Sequence, residues 1–460
     1  MCCFAYLYCV INQFKMSRLL NLFLAVVAVL MAVGCRQDLS TYTSPFRDPL
    51  LFSKSVKKLN DVVLENNFPP MIAARNYAYA TIAAYECLAA GDSSLHSLAG
   101  RIAHMPSMPK PEVGEHIDYQ LSALLALVKV GNEVTFPEGS LMGYHAALLK
   151  MADSLDVPRS IRTASVRFSD SMSAAILRWS KKDNYAATRG APRHAVNYQD
   201  LTGLWVPTPP MYATGLEPLW NTIRPFVLDS ASQCQPGRPP AFSMNKNSVY
   251  FRSLMEVKET GEQLSEEQKH IADFWDDNPF KMNVFGHVMF ATKKFSPPGH
   301  WMNIVGIASK NAGADFATTV SVYAHTSIAL FDGFISCWDE KYRSLYVRPE
   351  TVINDKLDAN WHPYIQTPPF PSYTSGHSTI SAAAAEVMTR FFGDTLAFTD
   401  TSLLEFGIAN REIKSFREAA QEASLSRLYG GIHYRFDLDS GNVAGKKVGK
   451  VVVDKLIPQN

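Results

Sequence analysis

The sequence predicts an all-α protein built as two helical-bundle halves, with the chemistry in the C-terminal one. Three observations lead there. Apolar residues recur at helical spacing through residues 57–183 and again through 263–460. Strand signals are scarce, and no glycine-rich phosphate loop or strand–helix alternation occurs, which argues against Rossmann and P-loop folds. Prolines gather at 106–111 and from Pro192 onward, where they interrupt helices and exclude central strands.

Taken in order, residues 1–35 read as an export signal. Met16-Ser-Arg opens a short positive region, Leu19 to Val33 is almost entirely apolar, and Ala32-Val33-Gly34-Cys35 resembles a bacterial lipobox. The expectation is an exported protein of the cell envelope, lipid-anchored through Cys35, with Met16 as an alternative start. Residues 36–56 read as a polar tether. Residues 57–183 carry a small-residue face (Ala73-Ala74, Ala78, Ala80, Ala83-Ala84) suited to close helix packing, then helical runs at Leu121–Val130 and Tyr144–Leu155. Residues 184–262, with Trp205-Val-Pro-Thr-Pro-Pro210 and Pro236–Pro240, are expected to be a packed aromatic linker rather than a collar over a pocket. In 263–460, Ser265-Glu-Glu-Gln268 is a capping box opening a helix through Trp275, and helical runs follow at 298–338, 378–393, 402–424 and 441–456.

Composition narrows the function. With 47% hydrophobic and 19% charged residues the chain is globular, and a net charge of +1 gives no field that would draw nucleic acid. Outside the N-terminal segment only Cys87, Cys234 and Cys337 remain, too scattered for a disulfide framework or a metal-ligand spacing.

Three clusters carry the chemistry. Lys341 and Arg348 lie two helical turns apart before Pro349, which ends the helix and turns Arg348 back toward the lysine. A guanidinium fork binds two oxygens of an oxyanion, and an ammonium a third. Ser375-Gly376-His377 opens a strong helix, where free amides and the helix dipole attract anions and an imidazole can exchange protons. Ser426-Arg427 precedes His433 and Asp437; on a helix the carboxylate lies one turn from the ring and fixes its tautomer. Gly430 and Gly431 would cost such a helix roughly 1 kcal/mol each, so they point to close backbone approach. His325 reads as a satisfied core histidine, and His362 as an outer group near the second cluster.

The spacing Lys-x6-Arg-Pro, Ser-Gly-His, Ser-Arg-x5-His-x3-Asp over residues 341–437 resembles the superfamily of type 2 phosphatidic acid phosphatases and vanadium-dependent haloperoxidases. The second motif, Pro371-Ser-Tyr-Thr-Ser-Gly-His377, is similar to the longer haloperoxidase form. The resemblance implies His433 as the apical ligand of vanadate. Lys341, Arg348, Arg427, Ser375 and the Gly376 amide would neutralise its equatorial oxygens. His377 would take a proton from hydrogen peroxide, Lys341 would polarise the peroxide for halide attack, and Asp437 would orient His433.

The same residues serve a phosphatase, with no cofactor, His433 as nucleophile toward a phosphate ester, and His377 protonating the leaving group. Chain length, the aromatic stretch and the lack of several long apolar spans favour the haloperoxidase. Phe370, seven residues before His377, is where the resemblance places a halide-pocket residue and suggests the chloroperoxidase type. A lipoprotein that only binds phosphate is the third reading, and the resemblance adds a homo-oligomer as an expectation.

Overall fold

Capping chemistry starts many of the helices. Asp48 accepts the Leu50 amide ahead of Pro49, so helix α1 runs Pro49–Glu65. The stretch expected to tether the domain through residue 56 is thus helical from Pro49, with Phe52 and Val56 buried. The correction has a plain cause: Phe52, Val56, Leu59 and Val63 form an apolar stripe at helical spacing that the short polar run before it conceals. The computed structural model describes residues 41–135, 140–190, 202–279, 281–285 and 288–458, with backbone alone at 282–285 and 288–292. The export segment and Cys35 lie outside the described residues.

Fourteen α-helices occur among the described residues. After α1 come α2 (Pro70–Ala89), α3 (Tyr119–Val134), α4 (Met142–Ser154), α5 (Arg159–Ser180) and the short α6 (Tyr185–Arg189). The second half holds α7 (Val249–Glu262), α8 (Glu266–Phe274), α9 (Pro297–Asn311), α10 (Phe316–Ser344), α11 (Pro349–Lys356), α12 (Gly376–Phe392), α13 (Phe416–Tyr429) and α14 (Arg435–Leu456). Two antiparallel hairpins complete it, β1 (Lys281–Phe285) with β2 (Val288–Thr292), and β3 (Phe398–Asp400) with β4 (Arg411–Ile413). No described helix is long and apolar enough to cross a membrane.

The capping box opens α8 as its sequence requires, with Ser265 and Gln268 bonded reciprocally. Two expected helical runs divide. The 298–338 run is α9 and α10, parted where Gly313 takes a left-handed φ of +62° and Asp315 caps α10. Residues 402–424 begin as a 3₁₀ turn and the second strand of the β3–β4 hairpin before Ser415 caps α13.

Residues 44–460 form one compact unit in which α2 and α10 are buried along nearly their whole lengths. α10 packs on α2 of the first half and on α12 of the second. α12 in turn packs along α14, whose Gly441, Gly445 and Gly449 face it. A Cβ on Gly445 would stand 2.0 Å from the Thr379 carbonyl oxygen, so no side chain fits between the two backbones. This close approach brings the starts of α12 and α14 together, and the Ser375 amide donates to the Asp437 carbonyl at 3.1 Å.

Replacing Gly445 by alanine should therefore destabilise the fold by ~1–3 kcal/mol, because a backbone must move to admit the methyl group. Thermal or denaturant unfolding measures the loss, and a neutral Gly445→Ala would show that the two helices part freely.

Candidate active site

The three clusters meet at one end of the α10–α12–α14 core. Lys341 occupies the last turn of α10, and a left-handed Leu345 (φ 46°) turns the chain so that Arg348 caps α11, where Pro349 is the first residue. Ser375 caps α12 with its hydroxyl accepting the Ser378 amide, which leaves the hydroxyl hydrogen free to donate. Arg427 lies in the last turn of α13. Gly430 and Gly431 end that helix rather than lie within one: Gly431 has φ +77°, and a Cβ on Gly430 would collide with Ile365 at 2.5 Å. His433 sits in the turn that follows, one residue before Tyr434 caps α14.

Each cation is held by main-chain carbonyls. Lys341 Nζ donates to Pro371 O (2.7 Å) and Ser372 O (2.9 Å). Arg348 donates through Nε to Phe370 O (2.9 Å) and through Nη1 to Ile432 O (2.7 Å), while its Nη2 is buried without a partner. Arg427 Nη2 donates to the Trp275 carbonyl. Among the described residues none of the three forms an ion pair with a carboxylate within 4.0 Å. Burial pushes Lys341 down to about 7, with Arg348 adding to the effect, and lowers both arginines to about 10. The site therefore carries concentrated positive charge that an oxyanion would relieve.

His433 Nδ1 lies 2.8 Å from Asp437 Oδ2, which also accepts from the Ser372 hydroxyl (2.6 Å) and the Tyr434 amide (3.2 Å). Arg348 Nη1 is 3.1 Å from His433 Nε2. A guanidinium only donates, so Nε2 carries a lone pair and Nδ1 the hydrogen. Burial first, then Arg348, Lys341 and Arg427, hold His433 well below the usual histidine range and keep it neutral. His377 is held low by burial and by Arg427, and its Nε2 is buried without a hydrogen-bond partner.

A cavity of about 300 Å³ opens on His377, His433, Arg427 and Gly376. A Cβ on Gly376 would meet nothing closer than Trp338 at 3.7 Å, so packing against the protein does not require this glycine. Seven prolines, with Trp338, Phe334 and Phe370, make the walls apolar. Phe370 packs on Trp338 at 5.0 Å and lies 5.0 Å from Lys341 Nζ.

Thr208, Pro209, Met211, Ala213 and Leu216 also line the cavity, so the 184–262 stretch is in part a collar and not only a linker. Its prolines supply rigid backbone at the mouth, while Trp205, Trp220 and Phe226 pack inward as expected. His325 is a core histidine, bonded to Ser321 O at 2.7 Å and lowered to about 4 by burial. His362 is exposed and does not line the cavity.

Sequence reasoning missed a second layer. Asp276 and Asp277 line the cavity, with Asp277 Oδ2 3.8 Å from His377 Nε2. His300 and Asp400 stand behind Asp277, joined through His300 Nδ1 and Nε2 at 2.9 Å on either side. The Asp276-Asp277-Asn278-Pro279 run just past the capped helix was a visible cue. His300 and Asp400 had none, being separated from Asp277 and from each other by 23 and 100 residues.

Fold and site together define a helical protein that gathers three buried cations and two differently placed imidazoles at one end of its core. A family model for the second helical-bundle domain of vanadium chloroperoxidase matches residues 354–458. The crystal structure of the first bacterial vanadium-dependent iodoperoxidase is 39% identical, covering 90% of this chain and 98% of that one with a TM-score of 0.83. A holo bacterial vanadium-dependent chloroperoxidase shares the fold at 16% identity (92% of this chain, 94% of that one, TM-score 0.60). No curated protein sequence matches the chain. The chain belongs to the vanadium-dependent haloperoxidase family.

A tetrahedral anion should stabilise the protein, by about 2.7 kcal/mol at a concentration one hundred times its Kd. Arg348→Ala should remove most of that gain in a thermal-shift assay with sulfate or orthovanadate. Because Lys341 titrates near 7 in the free site, sulfate affinity should fall as pH rises above 7, by up to about tenfold per unit. An affinity flat from pH 6 to 9 would remove Lys341 from the anion site.

Proposed function

We propose that this protein is a vanadium-dependent haloperoxidase, oxidising a halide with hydrogen peroxide at a vanadate anchored on His433. The observation that carries the reading is three buried cations, unpaired with carboxylates, around two neutral histidines. The 39% identity across nearly the whole chain supports the same reading.

The residues fit vanadate. His433 Nε2 presents a lone pair, Arg348 Nη2 is an orphaned buried donor, and the Ser375 hydroxyl and Gly376 amide stand at a helix N-terminus. In this reading Lys341, Arg348, Arg427, Ser375 and Gly376 hold the oxygens and His433 the metal. Bound vanadate supplies Lewis-acid activation of peroxide toward two-electron oxidation of the halide. Asp437 keeps the hydrogen of His433 on Nδ1 and so its Nε2 available. His377, neutral with a bare Nε2, takes a proton from the incoming peroxide, and the electron pair of that O–H bond stays on oxygen. The Asp277 carboxylate then faces the newly formed N–H. Lys341 would polarise the peroxide for attack by the halide, and the proline-walled cavity limits competing water.

Iodide is the halide we propose first, since 39% identity over 90% of the chain outweighs the single position Phe370 that suggested chloride. Phe370 remains the proposed halide-facing wall. Export and lipid anchoring through Cys35 are part of the proposal: Cys35→Ala should release the protein from membranes and abolish labelling by a radioactive fatty acid. Self-association is read by light scattering on the same preparation.

The protein lacking residues 1–35 is to be assayed with and without orthovanadate, for peroxide-dependent oxidation of iodide, bromide and chloride and for p-nitrophenyl phosphate hydrolysis. Halide oxidation that requires vanadate is expected, and His377→Ala should lower kcat about 10²–10⁴-fold while orthovanadate still binds. His433→Ala should lose the binding itself. Phosphate-ester hydrolysis that vanadate inhibits, without halide oxidation, would instead make His433 a nucleophile.

A further inference from the structure

His300 lies in the first turn of α9, fully buried, its ring stacked on Trp275 with centroids 4.6 Å apart and planes at 23°. Nδ1 is 2.9 Å from Asp277 Oδ1 and 3.2 Å from Oδ2, and Nε2 is 2.9 Å from Asp400 Oδ2. Ionised carboxylates only accept, so both ring nitrogens carry hydrogen and His300 is an imidazolium between two carboxylates. Burial opposes that charge, but Asp277 and Asp400 outweigh it and raise His300 to about 10. Asp400 is anchored in turn on β3, where its Oδ1 accepts the Ser402 amide at 2.9 Å.

His300 does not line the cavity, yet it grips the segment that shapes one side of it. Trp275, under its ring, presents the carbonyl that holds Arg427. Asp277, bonded to its Nδ1, has Oδ2 3.8 Å from His377 Nε2. A buried carboxylate with no partner takes up a proton or turns toward water. The imidazolium holds Asp277 in place, and Asp400 keeps the imidazolium itself from turning.

We propose that His300 is a positioning residue: clipped between Asp277 and Asp400, it holds the Asp277 carboxylate aimed at His377, and so supports proton transfer at a site it never touches. The inference rests on the acid–base role given above to His377. When His377 Nε2 accepts the peroxide proton, the new N–H meets a fixed negative charge. Without the clip it would meet a carboxylate free to turn away. Proton transfer then loses its geometry, while Lys341, Arg348 and His433 keep partners that His300 does not touch, and the ring that His300→Phe retains supports Trp275 beneath Arg427.

Three variants test this in the vanadate-loaded protein. His300→Phe keeps a ring on Trp275 but has no N–H, His300→Gln keeps one donor for Asp277, and Asp277→Asn removes the aimed charge. His300→Phe and Asp277→Asn should each lower kcat for halide oxidation about tenfold or more, a fraction of what acid–base catalysis supplies. KM for peroxide and orthovanadate affinity by calorimetry should stay within about threefold, and His300→Gln should recover most of the rate. The double variant should be no slower than Asp277→Asn alone, because both changes remove one contribution. Nitrogen-15 NMR should show both His300 ring nitrogens protonated at pH 8. If His300→Phe alone fails to fold, His300→Phe with Asp400→Asn, which leaves one carboxylate fewer unpaired, takes its place in the cycle.

Full kcat without the clip would overturn the proposal. So would losses that multiply in the double variant, or orthovanadate affinity falling in step with kcat, each of which marks a merely structural role. A wild-type protein with no vanadate-dependent halide oxidation would overturn the functional reading, and this inference with it.

Discussion

Bringing three cations into the interior without matching carboxylates is the constraint that shapes this protein. Charge removed from water must be solvated by something, and the chain uses its own carbonyls: Pro371 and Ser372 for Lys341, Phe370 and Ile432 for Arg348, Trp275 for Arg427. A carbonyl dipole holds a cation in place and leaves its charge uncancelled. A carboxylate would have held it and neutralised it. The loops that present these carbonyls are irregular by necessity, since carbonyls spent in helix bonds could not turn inward.

Such loops need a rigid frame. α10, α12 and α14 provide it, and the glycine face of α14 lets α12 lie close enough for Ser375 to bond Asp437 across the gap. The interval between the amides at the start of α12 and His433 is thereby set by helix packing, not by loop length. Behind the opposite wall the His300 clip performs the same service for Asp277 with charge in place of packing.

Much of this was legible in the chain. Caps and apolar periods located α8 and α12 closely, because short-range hydrogen bonds decide where helices begin, whereas α14 starts at Arg435, ahead of the expected 441–456 run. Lys341, Arg348, Ser375, Gly376, His377, Arg427, His433 and Asp437 converge because each stands beside a helix end that its own neighbours specify. What could not be read depends on distant partners. His300 resembles any histidine on an apolar helix until Asp277 and Asp400 arrive from other elements. The proline-rich stretch reveals its cavity-facing side only when Leu216 bonds Trp338, Tyr342 and Pro369. The β3–β4 hairpin is too short for periodicity to separate it from the helix after it.

The three cysteines among the described residues, Cys87, Cys234 and Cys337, are free and buried. Burial raises the Cys87 thiol well above its ordinary range and Cys234 to about 11. Under the proposed function the protein lives beside its own product, an electrophilic halogen species, and thiolates are among the first groups such a reagent attacks. Keeping Cys87 and Cys234 protonated, and all three of these sulfhydryls buried, would let the described residues tolerate the oxidant released under that function.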